Sequence, residues 1–244
     1  MRRRNKIILG SLLVVIVILV GFVVWAETPL GPMSEAYDAL QSDSTVTVSV
    51  GNWLIFSTLS SNASKGFIFY PGGRVDYRSY APAAHAIAAE GYLCVIVSMP
   101  LNLAVFGVNI ASEVINSNPQ ISSWAIGGHS LGGTMAAQYA YDNPLKIQGL
   151  VLWAAYPPSG TNLTKQTLMV TTIYGTNDGL ITSSEIESSL KLLPANTKRV
   201  EIAGGNHAQF GWYGEQSGDN AAMINRTSQQ SQIINATLQL LRNI

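Results

Sequence analysis

Cysteine is almost missing from the chain: its 244 residues include one, Cys94. A single thiol excludes an intrachain disulfide and any metal site built on several cysteines. Set in the apolar run Tyr92-Leu93-Cys94-Val95-Ile96-Val97, it reads as a buried core residue. Charge is scarce as well. Lys and Arg number 14 against 14 Asp and Glu, so no basic field exists to attract nucleic acid, and none is expected as a partner. Charged residues make up 11% of the chain, against an ordinary share of about 25%, so Ser, Thr, Asn, Gln and Gly must cover the surface. That composition suits a domain outside the cytosol. No internal repeat is present, and the only biased stretch is the Ser/Asn-rich loop 57–65. With three histidines, the choice of general base is short.

What the chain has instead is apolar residues, 47% of the total, enough for one sizeable core but not comfortably for two. Met1-Arg2-Arg3-Arg4-Asn5-Lys6 precedes about twenty uncharged residues, 7–26, the length a helix needs to cross roughly 30 Å of hydrocarbon. Basic residues before this run and Glu27 after it place the N-terminus inside and the rest outside. The reading is a retained membrane anchor. The alternative is a signal peptide cleaved near Ala26, although the run exceeds the usual 7–15 residues of a signal core. The organisation expected is therefore anchor or signal at 1–26, linker and short helix at 27–44, and one domain at 45–244.

Within that domain, Thr45-Val46-Thr47-Val48-Ser49-Val50 and Trp53-Leu54-Ile55-Phe56 flank Gly51-Asn52 and predict a hairpin. A buried-type strand at 66–70 follows. Helical stretches at 80–90, 103–116, 133–141, 183–193 and 228–241 then alternate with strand-like runs at 92–98, 124–128, 149–154, 168–174 and 199–202. Strands alternating with helices imply a mostly parallel sheet covered on both faces.

The chain is organised around Gly128-His129-Ser130-Leu131-Gly132, where a strand passes through a sharp turn into an Ala-rich helix. Glycines flank a serine held in strained geometry, the pattern of a nucleophile elbow. A serine hydroxyl needs a base, and a base needs an acid to orient it. His207 follows a strand in the flexible loop Ala203-Gly204-Gly205-Asn206, at the sheet edge where a base can reach the serine. His129 is expected to be held by the elbow with its ring turned away, and His85 sits mid-helix. Asp178 ends a strand and lies between serine and histidine in chain order. Two backbone donors are required for an oxyanion, and the amides of Leu131 and of Gly73 in Pro71-Gly72-Gly73 occupy those places. Arg74 stands where it can meet an anionic substrate or pair with Asp76. No metal site and no cofactor is called for.

With Pro71-Gly72-Gly73, Gly128-His129-Ser130-Leu131-Gly132-Gly133, Tyr174-Gly175-Thr176-Asn177-Asp178-Gly179 and Gly204-Gly205-Asn206-His207 in this order, the chain resembles the α/β-hydrolase superfamily over about residues 45–244. It is most similar to the small dienelactone-hydrolase-like branch. Dienelactone hydrolases proper carry a cysteine nucleophile where this chain has Ser130, and many relatives begin the oxyanion loop with His-Gly rather than Pro71-Gly72. The resemblance implies the fold and a Ser130-His207-Asp178 triad; with the N-terminal segment the reading is an extracytoplasmic serine hydrolase cleaving an ester or related acyl bond of a small molecule, with a peptidase, an acyltransferase or a silent binding domain on a membrane stalk as alternatives. In this superfamily a cap is commonly inserted where this chain has only residues 156–167, too few for a helical lid. An open site rimmed by Tyr156, Phe210, Trp212 and Tyr213, preferring short soluble esters, is the expectation. Sequons at Asn62, Asn162, Asn225 and Asn235 reflect mainly an Asn/Ser/Thr-rich composition.

Overall fold

Apolar runs too short for helices pair here into one eight-stranded sheet. The computed structural model describes residues 2–59 and 63–244, so Asn62 lies outside the described residues. A long helix α1 (Arg2–Ala26) and a short one α2 (Ser34–Asp38) lead into β1 (Val46–Val50) and β2 (Trp53–Thr58), which form the expected antiparallel hairpin. β3 (Lys65–Tyr70), α3 (Ala81–Ala89), β4 (Leu93–Val97), α4 (Ile110–Ser117), β5 (Ser123–His129) and α5 (Leu131–Asp142) follow. The chain closes with β6 (Gly149–Trp153), β7 (Met169–Gly175), α6 (Ser183–Ser189), β8 (Lys198–Ile202) and α7 (Arg226–Asn243), the last capped by the Asn225 side chain.

The strand order is β1-β2-β4-β3-β5-β6-β7-β8, parallel from β4 onward. Parallel strands are covered on both faces and so read as unbroken apolar runs, yet successive side chains still alternate between two cores. Phe67, Phe69, Cys94, Ile96, Val151 and Trp153 join the core under α3 and α7. Ile68, Tyr70, Val95, Val97, Leu150 and Leu152 join the core under α4 and α5. After β3 the chain steps to one side, to β4, whereas after β5 it steps to the other, to β6. The loops leaving β3 and β5 thus diverge and open a crevice at the carboxyl ends of the strands, the place where sheets of this kind bind ligands.

One expectation is corrected. The stretch 103–116 does not form one helix: two 3-10 turns, Pro100–Asn102 and Ala104–Phe106, come first, and α4 begins only at Ile110. Leu101 and Asn102 stand at φ 55° and 53°, and Gly107 packs against Met99 and Ile110, so the chain bends where periodicity alone suggested continuity. The segment 27–44 carries the expected short helix, α2, and lies against the domain. Leu30 bridges Val75, the Met33 amide donates to Trp212 O at 2.8 Å, and Ala36 is fully buried.

Candidate active site

Ser130 stands at the end of β5 with φ 52° and ψ −124°, a conformation that costs a non-glycine residue about 1–3 kcal/mol and persists only where the surroundings enforce it. They do so through close approach. A Cβ on Gly132 would lie 2.2 Å from Tyr70 O and 2.3 Å from Pro71 O, and one on Gly128 would lie 2.6 Å from the Gly132 carbonyl carbon. The elbow therefore presses on the loop leaving β3. The Ser130 amide donates to Trp153 O at 3.0 Å, and Ser130 O accepts from Thr134 N at 3.0 Å, so both sides of the turn are tied down.

His207 and Asp178 meet at the ends of β8 and β7. His207 Nδ1 donates to Asp178 Oδ2 at 2.8 Å, and both side chains are buried. Asp178 Oδ1 accepts from the amides of Leu180 and Ile181 at 2.8 and 2.7 Å, which leaves the carboxylate one orientation. With Nδ1 engaged as donor, Nε2 is the nitrogen left to accept a proton. Two residues that sequence reasoning passed over hold these loops. Asp219 accepts from Gly179 N at 3.0 Å through Oδ1 and from Ala208 N at 2.8 Å through Oδ2, joining the acid loop to the histidine loop. Gln229 of α7, fully buried, donates to Asn206 O at 2.7 Å and accepts from Asn206 N at 3.1 Å. No motif marks either residue, because each acts through backbone groups distant in the chain.

Gly73 lies against Leu131: a Cβ on Gly73 would be 3.1 Å from Leu131 Cδ2 and 3.5 Å from Leu131 Cβ. Among the described residues, neither amide donates to a backbone carbonyl outside regular elements. Behind them runs a relay that the sequence did not announce. Gly72 N donates to Tyr80 Oη at 3.0 Å, and Tyr80 Oη lies 2.9 Å from His129 Nδ1. Burial pushes the Tyr80 phenol up and the His129 imidazole well below its usual range, the latter helped by His207 beside it. The phenol therefore stays protonated and donates to a neutral His129, tying the loop at Gly72 to the strand that carries the serine. The expectation that the His129 ring turns away is thus corrected. It sits 4.4 Å from the His207 ring and stacks on Phe210 at 5.5 Å.

The expected rim also changes. Phe210 and Tyr213 are buried, Phe210 beneath His129 and Tyr213 with its hydroxyl 2.9 Å from Gln216 Oε1, so both support the histidine loop from within. Trp212 lies under the Arg226 guanidinium at 5.9 Å, and its backbone pairs with Ser79 and Met33. Arg74 does not pair with Asp76, which Arg78 occupies at 2.5 Å; its guanidinium donates to Trp25 O at 2.8 Å and Thr28 O at 2.7 Å. Tyr156 remains at the edge. Its carbonyl accepts from Thr134 Oγ1 at 3.0 Å, and with Pro157, Ser184, Ser188 and Leu192 it lines a cleft of about 290 Å³. Residues 154–168, between β6 and β7, carry no helix that could serve as a lid.

A family model described as "Alpha/beta hydrolase family" matches residues 66–231. Among solved structures, a predicted CIB-like hydrolase from Thermoplasma acidophilum has a TM-score of 0.62 at 11% identity, covering 82% of this chain and 99% of that one. Est1E from Butyrivibrio proteoclasticus, with ferulic acid bound, has a TM-score of 0.61 at 12% identity, covering 83% and 98%. Esterase 2 from Thermogutta terrifontis, phosphoramylated by tabun, has a TM-score of 0.61 at 12% identity, covering 83% and 96%. At such identities the likeness is one of fold. No curated protein matches the chain.

Proposed function

The chain belongs to the alpha/beta hydrolase family, and from that premise we propose that it is a membrane-anchored serine hydrolase that cleaves an ester or related acyl bond outside the cytosol. Ser130 attacks the acyl carbon, His207 Nε2 takes the hydroxyl proton and returns it to the leaving group, and Asp178 holds the imidazole and stabilises its charged form. The amides of Gly73 and Leu131 receive the oxyanion, and water then resolves the acyl-enzyme. The observation that carries this reading is the buried His207–Asp178 pair at 2.8 Å, whose imidazole lies against the ring of His129, the residue before a strained serine. The esterases among the structural neighbours support the same chemistry.

In this reading residues 1–26 are the anchor, 27–44 a connecting segment laid on the domain, and 45–244 the catalytic domain. Retention of the anchor is supported by its last turn. Ala26 is fully buried, and Trp25 O and Ala26 O accept from Arg74 and Asn102, contacts that cleavage after Ala26 would remove. The test is labelling of the full chain with a fluorophosphonate, an organophosphorus reagent, followed by a screen of esters. Ser130→Ala should abolish both labelling and turnover while leaving the thermal transition in place; activity within threefold of wild type (roughly 0.6 kcal/mol in transition-state stabilisation) would remove the serine from its role.

A further inference from the structure

The last turn of α1 is built into the neighbourhood of the site. Thr28 Oγ1 donates to Val24 O at 3.0 Å and to Trp25 O at 3.1 Å, Asn102 Nδ2 donates to Ala26 O at 3.1 Å, and the Arg74 guanidinium lies 4.4 Å over the Trp25 ring. Carbonyls that a helix leaves unsatisfied at its C-terminus are thus taken by Thr28 just beyond it and by Arg74 and Asn102 of the domain. Arg74 directly follows Gly73, and its own amide donates to Asn102 O at 2.8 Å. The anchor is docked one residue from a proposed oxyanion donor. No slack intervenes between membrane and domain.

The span Ile8–Ala26 has 19 residues, and at roughly 1.5 Å per residue it matches the hydrocarbon thickness. Ala26 then lies at the boundary, with Arg74 and Asn102 at headgroup level. Immediately after Asn102 comes the turn Ala104–Phe106, in which Val105 is 45% and Phe106 54% exposed. Among the described residues beyond α1, no other two consecutive large apolar side chains are both exposed. Leu103, just before them, reaches within 3.7 Å of a Cβ placed on Gly73, next to Leu131. The face that carries Arg74, Asn102 and Leu103 thus links the anchor's exit, the Val105–Phe106 pair and the residues beside Ser130.

We propose that this face lies on the bilayer from which α1 emerges, with Val105 and Phe106 entering the boundary between headgroups and acyl chains. The site consequently takes its ester from the membrane surface, as an amphiphile resident in the bilayer. This rests on the hydrolase reading of Ser130 and on a retained α1. It revises the expected preference for short soluble esters. A lidless mouth admits them, but a docked membrane surface presents its own amphiphiles at far higher effective concentration.

The first test does not depend on turnover. Cys94 is fully buried and burial pushes its thiol up, so a cysteine introduced at the surface is the reactive one. Full-length Phe106→Cys and Leu145→Cys, the latter position 93% exposed between α5 and β6 at the opposite edge of the sheet, are labelled with an environment-sensitive dye and placed in phosphatidylcholine vesicles containing nitroxide-labelled lipid. Quenching at 106 but not at 145 is expected; equal quenching at both, or none at 106, overturns the proposal. In the second test, full-length Val105→Ser/Phe106→Ser should hydrolyse a short soluble p-nitrophenyl ester within about twofold of wild type, yet lose about fivefold or more on a long-chain ester held in the same vesicles. Equal loss on both esters, or no loss on either, would overturn delivery from the membrane. If wild type hydrolyses neither ester and resists fluorophosphonate, the hydrolase reading fails while the dye still reports the membrane face.

Discussion

At the scale of single residues, the three histidines separate by what they touch. His207→Ala removes the proposed acceptor of the serine proton and should lower kcat by on the order of 10⁶-fold, with Asp178→Ala costing somewhat less, about 10⁴-fold. His85 lies against Phe56 and 3.6 Å from Asp43, away from the site, and its removal should leave kcat/KM nearly unchanged. Steady-state kinetics on the ester found by screening checks all three; a His85→Ala defect equal to that of His207→Ala in a folded protein would reassign the base. Gly132 is a second residue-level prediction. Its missing Cβ makes room for Tyr70 O and Pro71 O, both backbone atoms that cannot swing aside. Gly132→Ala should therefore destabilise by about 1–3 kcal/mol or more and abolish fluorophosphonate labelling. Gly160→Ala, with open space around it, should melt and react like wild type when the same thermal scan and labelling are run.

At the scale of elements, the loops carrying Ser130, Asp178 and His207 are brought together by the sheet, and their alignment depends on other residues. Asp219 spans the acid and histidine loops with one carboxylate oxygen on each. Asp219→Asn keeps one acceptor and replaces the other with a donor facing an amide, so one of the two loops loses its hold. The expected result is a fall in kcat of about tenfold with KM little changed, equivalent to roughly 1.4 kcal/mol, and slower fluorophosphonate labelling at an unchanged stoichiometry. A defect confined to KM would mean that Asp219 meets substrate rather than positioning His207. The same dependence on distant partners explains why residues 100–107 escaped a periodic reading. Asn102 adopts φ 53° while its backbone carbonyl serves Arg74 and its side chain serves Ala26, contacts that no local pattern encodes.

At the scale of the whole molecule, the end of α1, the proposed anchor, is hydrogen-bonded to the loops that carry Arg74 and Asn102. The full chain should sediment with membranes, resist extraction by high salt, and have its domain digested by protease added from outside. Fractionation with immunodetection checks this; recovery of a soluble mature form starting at Glu27 would favour a cleaved signal. The low charge of the chain does not oppose this arrangement, since the domain's surface is carried by neutral polar residues and its contact with the bilayer is proposed to run through apolar ones.

The sequence by itself determined the order of elements, the hairpin around Gly51-Asn52, the elbow at Ser130 and the choice of His207 and Asp178 as the pair to test. These signals are local: apolar runs of strand length, glycines where backbone approaches backbone, and titratable residues just past strand ends. Only the tertiary structure decided what surrounds them. That His129 packs beside His207, that Phe210 and Tyr213 lie beneath the site instead of around it, and that Arg74 grips the end of α1 all depend on side chains meeting across the sheet edge from loops remote in sequence. Composition gives an aromatic or an arginine no address of this kind. Its partner is chosen when eight strands fall into register and bring the loops beyond them within contact distance.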